Sequence, residues 1–178
     1  MKKSVLLHAC CGPCATASLE RLLSQGWKVG VLFANSNIAP VSEFEKRYEN
    51  LARVTEFYKV RHWKQAYSHG EWLKEIGGFE KAPEGGERCA RCFAYSLRLT
   101  AEKAEALGFD AFSTSLTVSP HKDSKRIFSI GNEHSCFLAE NFKKRDGFKR
   151  SIELSKQLSL YRQDYCGCEF SKAHIRDL

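Results

Sequence analysis

Residues 4–26 read SVLLHACCGPCATASLERLLSQG. The first five residues, Ser4–His8, form a short apolar run that predicts a buried strand. From Ala15 onward apolar residues recur at helical spacing, with Pro13 suited to a first helical position and Gly26 to the helix end. The stretch therefore predicts a strand, a tight turn and a helix, which is the repeating unit of an α/β domain with a parallel sheet.

The same pattern occurs a second time directly afterwards. A second strand is predicted over residues 29–33, and a polar loop follows it from Asn35. Ser42 and Glu45 have the spacing of a capping box, which predicts a helix opening at that point. The apolar face of this helix consists of Phe44, Tyr48, Leu51, Val54 and Tyr58.

Two further strands are predicted over residues 60–63 and 111–118. A glycine-rich stretch between them leads to Cys89-Ala90-Arg91-Cys92 and a helix that Gly108 ends. Ser119-Pro120 is expected to cap and begin the next helix, and a last helix is expected to carry Ile152, Leu158 and Tyr161. We predict a mostly parallel sheet with helices on both faces.

Composition and charge favour a globular protein with a polyanionic partner and argue against a membrane protein. The 178 residues are 43% apolar, which fits one globular domain, and no apolar run reaches the roughly 18 residues of a membrane span. The N-terminal residues lack the pattern of a secretory signal, so we expect a cytoplasmic protein without a membrane partner. Of the net charge of +7, +4 lies between His121 and Arg150, which favours a polyanionic partner.

Eight cysteines are the strongest chemical signal. In a reducing compartment a disulfide framework is a poor explanation for them, so metal or redox chemistry is expected. Both C-x-x-C pairs precede a predicted helix, whose N-terminal N–H groups stabilise negative sulfur. Cys136 stands alone and is expected to pack in the core. The seven others form three groups: Cys10, Cys11 and Cys14; Cys89 and Cys92; Cys166 and Cys168.

Several kinds of site remain open at this point. Four thiolates suit structural zinc as well as iron-sulfur, but seven are three more than a zinc site needs. Cys11-Gly12-Pro13-Cys14 also matches the thioredoxin motif, although a thiol exchanger has no need of the other cysteines. A PP-loop enzyme that thiolates transfer RNA would carry a glycine-rich and serine-rich phosphate cradle in this turn. The scaffold therefore resembles the PP-loop/HUP-like (Rossmann-like) group, while its cysteines predict that no nucleotide binds there.

Motifs spread along nearly the whole chain resemble the epoxyqueuosine reductase family QueH. They are His8-x-Cys10-Cys11-Gly12-Pro13-Cys14, Asn35-x-Asn37 with Pro40 and Glu43, Gly86-Glu87-Arg88-Cys89-x-x-Cys92, Ser119-Pro120-His121-Lys122, Phe142-Lys143-Lys144, and Tyr161-Arg162-Gln163-x-Tyr165-Cys166-Gly167-Cys168. One departure is Ser113-Thr114-Ser115-Leu116, where a second threonine would be expected before the leucine. The order and spacing of the motifs make the resemblance specific.

The resemblance implies a reaction and its cofactors. Members of this family reduce epoxyqueuosine at the wobble position of transfer RNA to queuosine, with an iron-sulfur cluster and an adjacent iron. We therefore expect a [4Fe-4S] cluster bound by Cys10, Cys11, Cys89 and Cys92, and a second iron, with all seven grouped cysteines shared between the two metals. Arg88 and Arg91, which flank Cys89, are expected to ease reduction. The external electron donor stays open.

The remaining candidate residues supply protons and contacts to RNA. Candidate proton donors are His8, His121, Asp123, Asp164 and Tyr165, although core packing or helix capping would explain several of them equally well. Phe142 and Tyr161 are candidate stacking faces for bases of the anticodon loop, with core packing as the alternative. The basic residues expected to contact phosphates are Lys122, Lys125, Arg126, Lys143, Lys144, Lys149 and Arg162.

These expectations combine into one domain prediction. Residues 1–178 form a single α/β domain, and residues 119–178 form a basic helical extension within it. This extension carries the last two cysteines and closes over the metal site.

Overall fold

A computed structural model describes residues 3–171 of the chain and contains a four-stranded sheet in the order β3-β2-β1-β4. All neighbouring strands pair in parallel, which confirms the predicted α/β architecture. The elements follow the chain as β1 Ser4–His8, α1 Gly12–Ser24, β2 Lys28–Phe33, α2 Val41–Phe57, β3 Arg61–Lys64, α3 His69–Glu75, α4 Glu87–Ala106, β4 Ala111–Thr114, a 3₁₀ helix Ser115–Val118, α5 Ser124–Gly131 and α6 Gly147–Gln157.

Helices cover both faces of the sheet. Successive residues of a strand point to opposite faces, so each face carries apolar side chains that a layer of helices buries. Val5 and Leu7 of β1 belong to an apolar cluster with residues of α1 and α2, and α6 packs against α1 on this side. Leu6 of β1 belongs to the opposite cluster, which includes Phe93 and Leu97 of α4. None of the helices within residues 3–171 has both the length and the apolar character needed to cross a membrane.

Three helix starts differ from the sequence-based expectation. Helix α2 begins at Val41, one residue before the predicted capping box, because the Pro40 carbonyl accepts the first backbone hydrogen bonds, from the amides of Glu43 and Phe44. Ser119-Pro120 does not cap α5; the Asp123 carboxylate does, accepting from the Lys125 amide at 2.9 Å. The α3 helix, with buried Trp72, was not predicted at all.

Two other boundaries also shifted. The predicted strand over 111–118 ends at Thr114, whose hydroxyl accepts a hydrogen bond from the Leu116 amide and turns the chain into the 3₁₀ helix. Helix α6 ends at Gln157, so Leu158 caps it and Tyr161 lies in the following segment. The strand and the helix are therefore each shorter than predicted, and the residues after them belong to a 3₁₀ helix and to an irregular segment.

The candidate site lies at the carboxyl ends of the strands. After β1 the chain runs on one side to β2 and β3, and β4 pairs with β1 on the other side, so the strand order reverses at β1. Loops at such a reversal point form the usual ligand crevice of open α/β sheets. The loop between β1 and α1, which carries Cys10 and Cys11, lies at this point.

Candidate metal centre

The first cysteine group is built into the start of helix α1. Cys11 is the N-cap residue, and its sulfur accepts a hydrogen bond from the Cys14 amide at 3.5 Å. The sulfur atoms of Cys10 and Cys11 are 3.9 Å apart, and those of Cys10, Cys11 and Cys14 all lie within 4.8 Å of one another. One turn of chain therefore presents three thiols to a single point, a spacing at which they could hold one metal ion.

Ser115 orients this group from the neighbouring strand end. Its hydroxyl accepts a hydrogen bond from the Cys10 amide at 3.2 Å and donates one to the Cys10 sulfur at 3.5 Å. Ser115 follows β4 directly, so the pairing of β4 with β1 brings it to the cysteine turn. This contact also explains why serine suits the position where threonine was expected, since both residues supply a hydroxyl group.

The electrostatics of the three thiols favour a bound cation. Hydrogen bonds from the thiols of Cys10 and Cys14 hold the pKa of Cys11 well below its usual range. The same hydrogen bond to Cys11 raises the pKa of Cys10 to about 12, and the pKa of Cys14 is raised as well, first by its bond with Cys10. Deprotonating all three thiols at so short a spacing is unfavourable without a neighbouring cation, so the group favours a bound metal ion.

The second cysteine group lies inside helix α4, in its first two turns, and not ahead of the helix as predicted. Cys89 and Cys92 are three residues apart and so share one helix face. The Cys89 sulfur accepts a hydrogen bond from the Gly85 amide at 3.3 Å. Burial raises the pKa of Cys92 to about 12, opposed in part by the side chain of Trp72.

The third group is a tight turn fixed from helix α2. Gly167 has φ of +118°, and a Cβ atom there would lie 2.8 Å from Nη1 of Arg47. This guanidinium donates to the Cys166 carbonyl at 2.8 Å, and its Nε donates to Glu43 at 2.7 Å. Arg47 is only 2% exposed, so a buried ion pair on α2 sets the position of Cys166 and Cys168.

The second and third groups meet at one cavity of about 110 Å³. A hydrogen bond from the Cys168 thiol lowers the pKa of Cys166 to about 5, with a further contribution from the ammonium of Lys122. Donation of that hydrogen bond raises the pKa of Cys168. The cavity is lined by Asn37, Trp72, Glu84, Gly85, Arg88, Cys89, Cys92, Phe93, His121, Lys122, Asp123, Arg126, Cys166 and Cys168.

Lys122 connects this cavity to the first cysteine group. Its Nζ lies 3.8 Å from the Cys166 sulfur. Its pKa is raised, first by the charge of Cys166 and then, against the opposing effect of burial, by Cys10, Cys14 and Cys92. One ammonium group therefore contacts Cys166 and interacts electrostatically with members of the other two groups. The soft sulfur donors of these groups fit iron-sulfur or a thiolate-bound transition metal.

The candidate proton donors occupy different environments. His8 is buried, with Nδ1 2.9 Å from the Thr114 hydroxyl and Nε2 3.2 Å from Oδ1 of Asn35. Burial lowers the pKa of His8 to about 4, which favours the structural alternative for this residue, a neutral link between strand ends. Asp123 caps α5 and also lines the cavity, as His121 does.

The other two proton-donor candidates lie beside the third cysteine group. Asp164 is exposed, whereas Tyr165 is half-buried. The Arg47 guanidinium lies 5.1 Å from the centroid of the Tyr165 ring. Both residues therefore sit on the segment that carries Cys166, with Tyr165 packed against the residue that fixes it.

The basic candidates for RNA contacts divide into two sets. Lys125, Lys144, Lys149 and Arg162 are exposed. Three others are engaged within the protein: Lys122 by Cys166, Arg126 by Glu87 at 2.8 Å, and Lys143 by the Lys122 carbonyl at 2.6 Å.

The flanking arginines and the candidate aromatics also differ from one another. Arg88 is buried and lines the cavity, but the Arg91 guanidinium lies over the ring of Phe79, 4.3 Å from its centroid. Phe142 is fully buried, which supports core packing, the alternative to base stacking: its ring fills the core beside α1. Tyr161 is half-buried, with the Lys46 ammonium 3.6 Å from its ring centroid.

Three residues of the centre went unrecognised in the sequence. Arg47 gave a usable signal, since Glu43 lies four residues before it on the predicted helix. Ser115 appeared only as a departure from a motif. Trp72 gave no signal, because it depends on a short helix that brings its buried ring to a cluster with Cys168 and Tyr95.

Comparisons with known proteins identify the family of the chain. The family model for Epoxyqueuosine reductase QueH matches residues 5–174. An Epoxyqueuosine reductase QueH of Streptococcus pyogenes serotype M1 is 41% identical over 96% of this chain and 71% of its own length. The proteins of the same name from Staphylococcus epidermidis and Thermotoga maritima are each 34% identical, over 96% and 98% of this chain and 76% and 93% of their own lengths. With its cysteine centre and this match over nearly its full length, the chain belongs to the epoxyqueuosine reductase QueH family.

Proposed function

We propose that this chain reduces the epoxide of epoxyqueuosine in transfer RNA to the alkene of queuosine at the centre formed by its three cysteine groups. The epoxide oxygen leaves as water, which requires two electrons and two protons. The clustering of the grouped cysteines carries the proposal, because it supplies redox-competent sulfur ligands in two sets. The sulfur atoms of Cys10, Cys11 and Cys14 lie within 4.8 Å of one another, and the other four cysteines line one cavity with Lys122. Membership in the family identifies the substrate.

We propose further that the seven thiolates hold a [4Fe-4S] cluster and a second iron. When bound, such a cluster supplies electrons one at a time, and an iron with an open position acts as a Lewis acid. Cys10 and Cys11 directly precede or cap α1, and Cys89 and Cys92 lie in the first two turns of α4. The positive N-terminal ends of two helices favour negative charge there, which supports these four residues as cluster ligands.

The other thiolates and polar residues then have distinct tasks. Cys14, Cys166 and Cys168 remain for the second iron. Asp123 lines the cavity with its carboxylate at a helix N-terminus and is the best-placed of the proposed proton carriers. His8, with both ring nitrogens within hydrogen-bonding distance of buried groups, holds the strand ends in position.

The scaffold and setting are part of the same proposal. The strand order 3-2-1-4 agrees with the first half of a doubly wound sheet, which supports a relationship to the PP-loop/HUP-like group. Cysteines occupy the turn where that group holds phosphate, so the reaction proceeds without nucleotide. A reducing cytoplasm keeps the thiols available for metal.

Anaerobic incubation with a chemical reductant and transfer RNA that contains epoxyqueuosine tests the reaction. We expect nucleoside mass analysis to show the loss of one oxygen atom from the modified base, and metal analysis of the same protein to show iron and sulfide. Retained activity in a preparation with zinc alone would contradict the metal assignment. A requirement for ATP would instead favour a PP-loop thiolation enzyme.

The exposed lysines at and before the start of α6 provide a second test. Changing Lys144 or Lys149 to glutamate is expected to weaken binding of the anticodon stem-loop and to reduce the slope of log affinity against log salt by about 0.7 for each phosphate that the variant no longer neutralises. Lys28→Glu is the matched control, because Lys28 is exposed at the opposite, amino-terminal end of the sheet. Equal salt slopes for all three variants, measured by fluorescence titration, would remove the α6 region from the interface.

A further inference from the structure

Lys122 was expected to face RNA, but its side chain turns into the protein. The residue lies between the 3₁₀ helix and α5, and its Nζ is 3.8 Å from the sulfur of Cys166. Lys122 also lines the cavity that Cys89, Cys92, Cys166 and Cys168 line. Its ammonium therefore lies against the third cysteine group, in the cavity that this group shares with the second.

The backbone of Lys122 is held by hydrogen bonds as well. Nζ of Lys143 donates to the Lys122 carbonyl at 2.6 Å, and the Lys143 amide donates to the Thr117 carbonyl at 3.1 Å. The loop that follows the core residue Phe142 thereby supports the turn that carries Lys122. A flexible side chain such as lysine needs this support to hold its charge at one place, since immobilising it opposes its rotamer entropy.

We propose that Lys122 is a positioning residue that donates an N–H···S hydrogen bond to Cys166 and raises the reduction potential of the metal centre. The inference rests on the proposed function, since it requires a redox-active metal at the cysteines. Each electron added to a thiolate-bound centre adds negative charge in a poorly screened environment. A fixed positive charge about 4 Å away stabilises the reduced state more than the oxidised state.

Lys122→Met removes the charge but keeps an unbranched apolar stem, and a redox titration followed by electron paramagnetic resonance measures its effect. We expect the equilibrium constant for one-electron reduction to fall at least tenfold, which is a shift of about 59 mV to more negative potential. Lys122→Arg keeps a cation and is expected to restore most of the potential. Lys28→Met makes the same change in net charge at the opposite end of the sheet and should match the unaltered protein.

Different results would overturn the role of Lys122 and the proposed function. Equal potentials for Lys122→Met and Lys28→Met, in preparations with full iron and sulfide, overturn the role of Lys122 alone. If Lys122→Met fails to bind iron at all, iron binding by Lys122→Arg supports the need for a positive charge at this position. In that case, equal loss of iron from both variants overturns the role of Lys122. A redox-silent unaltered protein overturns the proposed function and the inference together.

Discussion

Replacing Arg47 with alanine is expected to release the Cys166–Cys168 turn and to destabilise the protein by about 3–5 kcal/mol, the usual effect of removing one partner of a buried ion pair. Glu43, whose side chain is 11% exposed, would keep its charge without its guanidinium partner. The carbonyl group of Cys166 would lose its donor at the same time. We expect urea unfolding of the chelator-treated, reduced protein to show the loss of stability, and metal analysis to show a loss of iron.

Arg53→Ala provides a matched control on the same helix. Arg53 also donates to backbone carbonyls, those of Leu158 and Ser159, but these hydrogen bonds are exposed to solvent. Its removal is expected to change stability by at most about 1 kcal/mol, with iron content intact. Similar unfolding curves and equal iron content for Arg47→Ala and Arg53→Ala would contradict the role of Arg47 in fixing the turn.

Cys11→Ser is expected to abolish stable iron binding, because Cys11 is the N-cap residue of α1 and its pKa is held low by hydrogen bonds from Cys10 and Cys14, which favours the thiolate. A serine oxygen is a harder and more basic donor than a thiolate and binds iron poorly in this setting. The loss of iron affinity should exceed the roughly 10- to 100-fold effect of removing an outer hydrogen-bonding partner of a ligand. Iron analysis and the visible absorption of anaerobic protein measure it.

Cys136→Ser is the control for this substitution. Cys136 lies half-buried against the apolar cluster that includes Phe112, and its carbonyl accepts from the Phe112 amide, an interaction that the substitution leaves in place. We expect a modest loss of stability and full iron content. If Cys136→Ser lost as much iron as Cys11→Ser, the division between grouped and lone cysteines would be wrong.

The regular elements were predictable because their signals are local. Strand β1 and helix α1 follow from apolar periodicity in residues 4–26, and the parallel sheet follows from the alternation of strands and helices. The grouping of seven cysteines was equally visible, since ligand spacing within a turn is a property of the sequence. That the groups form one site was an inference from their number. The structure brings the second and third groups to one cavity, and the joining of the first group to them remains a proposal.

The directions of side chains in loops were not predictable. Lys122, Lys143 and Lys144 look alike in a basic segment, yet the first two are engaged within the protein and Lys144 is exposed. Their directions depend on contacts with chain that is distant in sequence, such as Cys166. Phe142 was left between base stacking and core packing for the same reason, because a lone aromatic residue in a basic loop carries no periodic signal of burial.

The order of the three cysteine groups along the chain has a consequence for how the protein is made. A polypeptide leaves the ribosome N-terminus first, so the thiols of Cys10–Cys14 and Cys89–Cys92 emerge well before Cys166 and Cys168. A nascent chain that has reached α4 presents five of the thiols but lacks the turn that Arg47 holds. If the proposed set of seven ligands holds the metals, their incorporation follows translation through Cys168, and an interrupted chain cannot complete the centre.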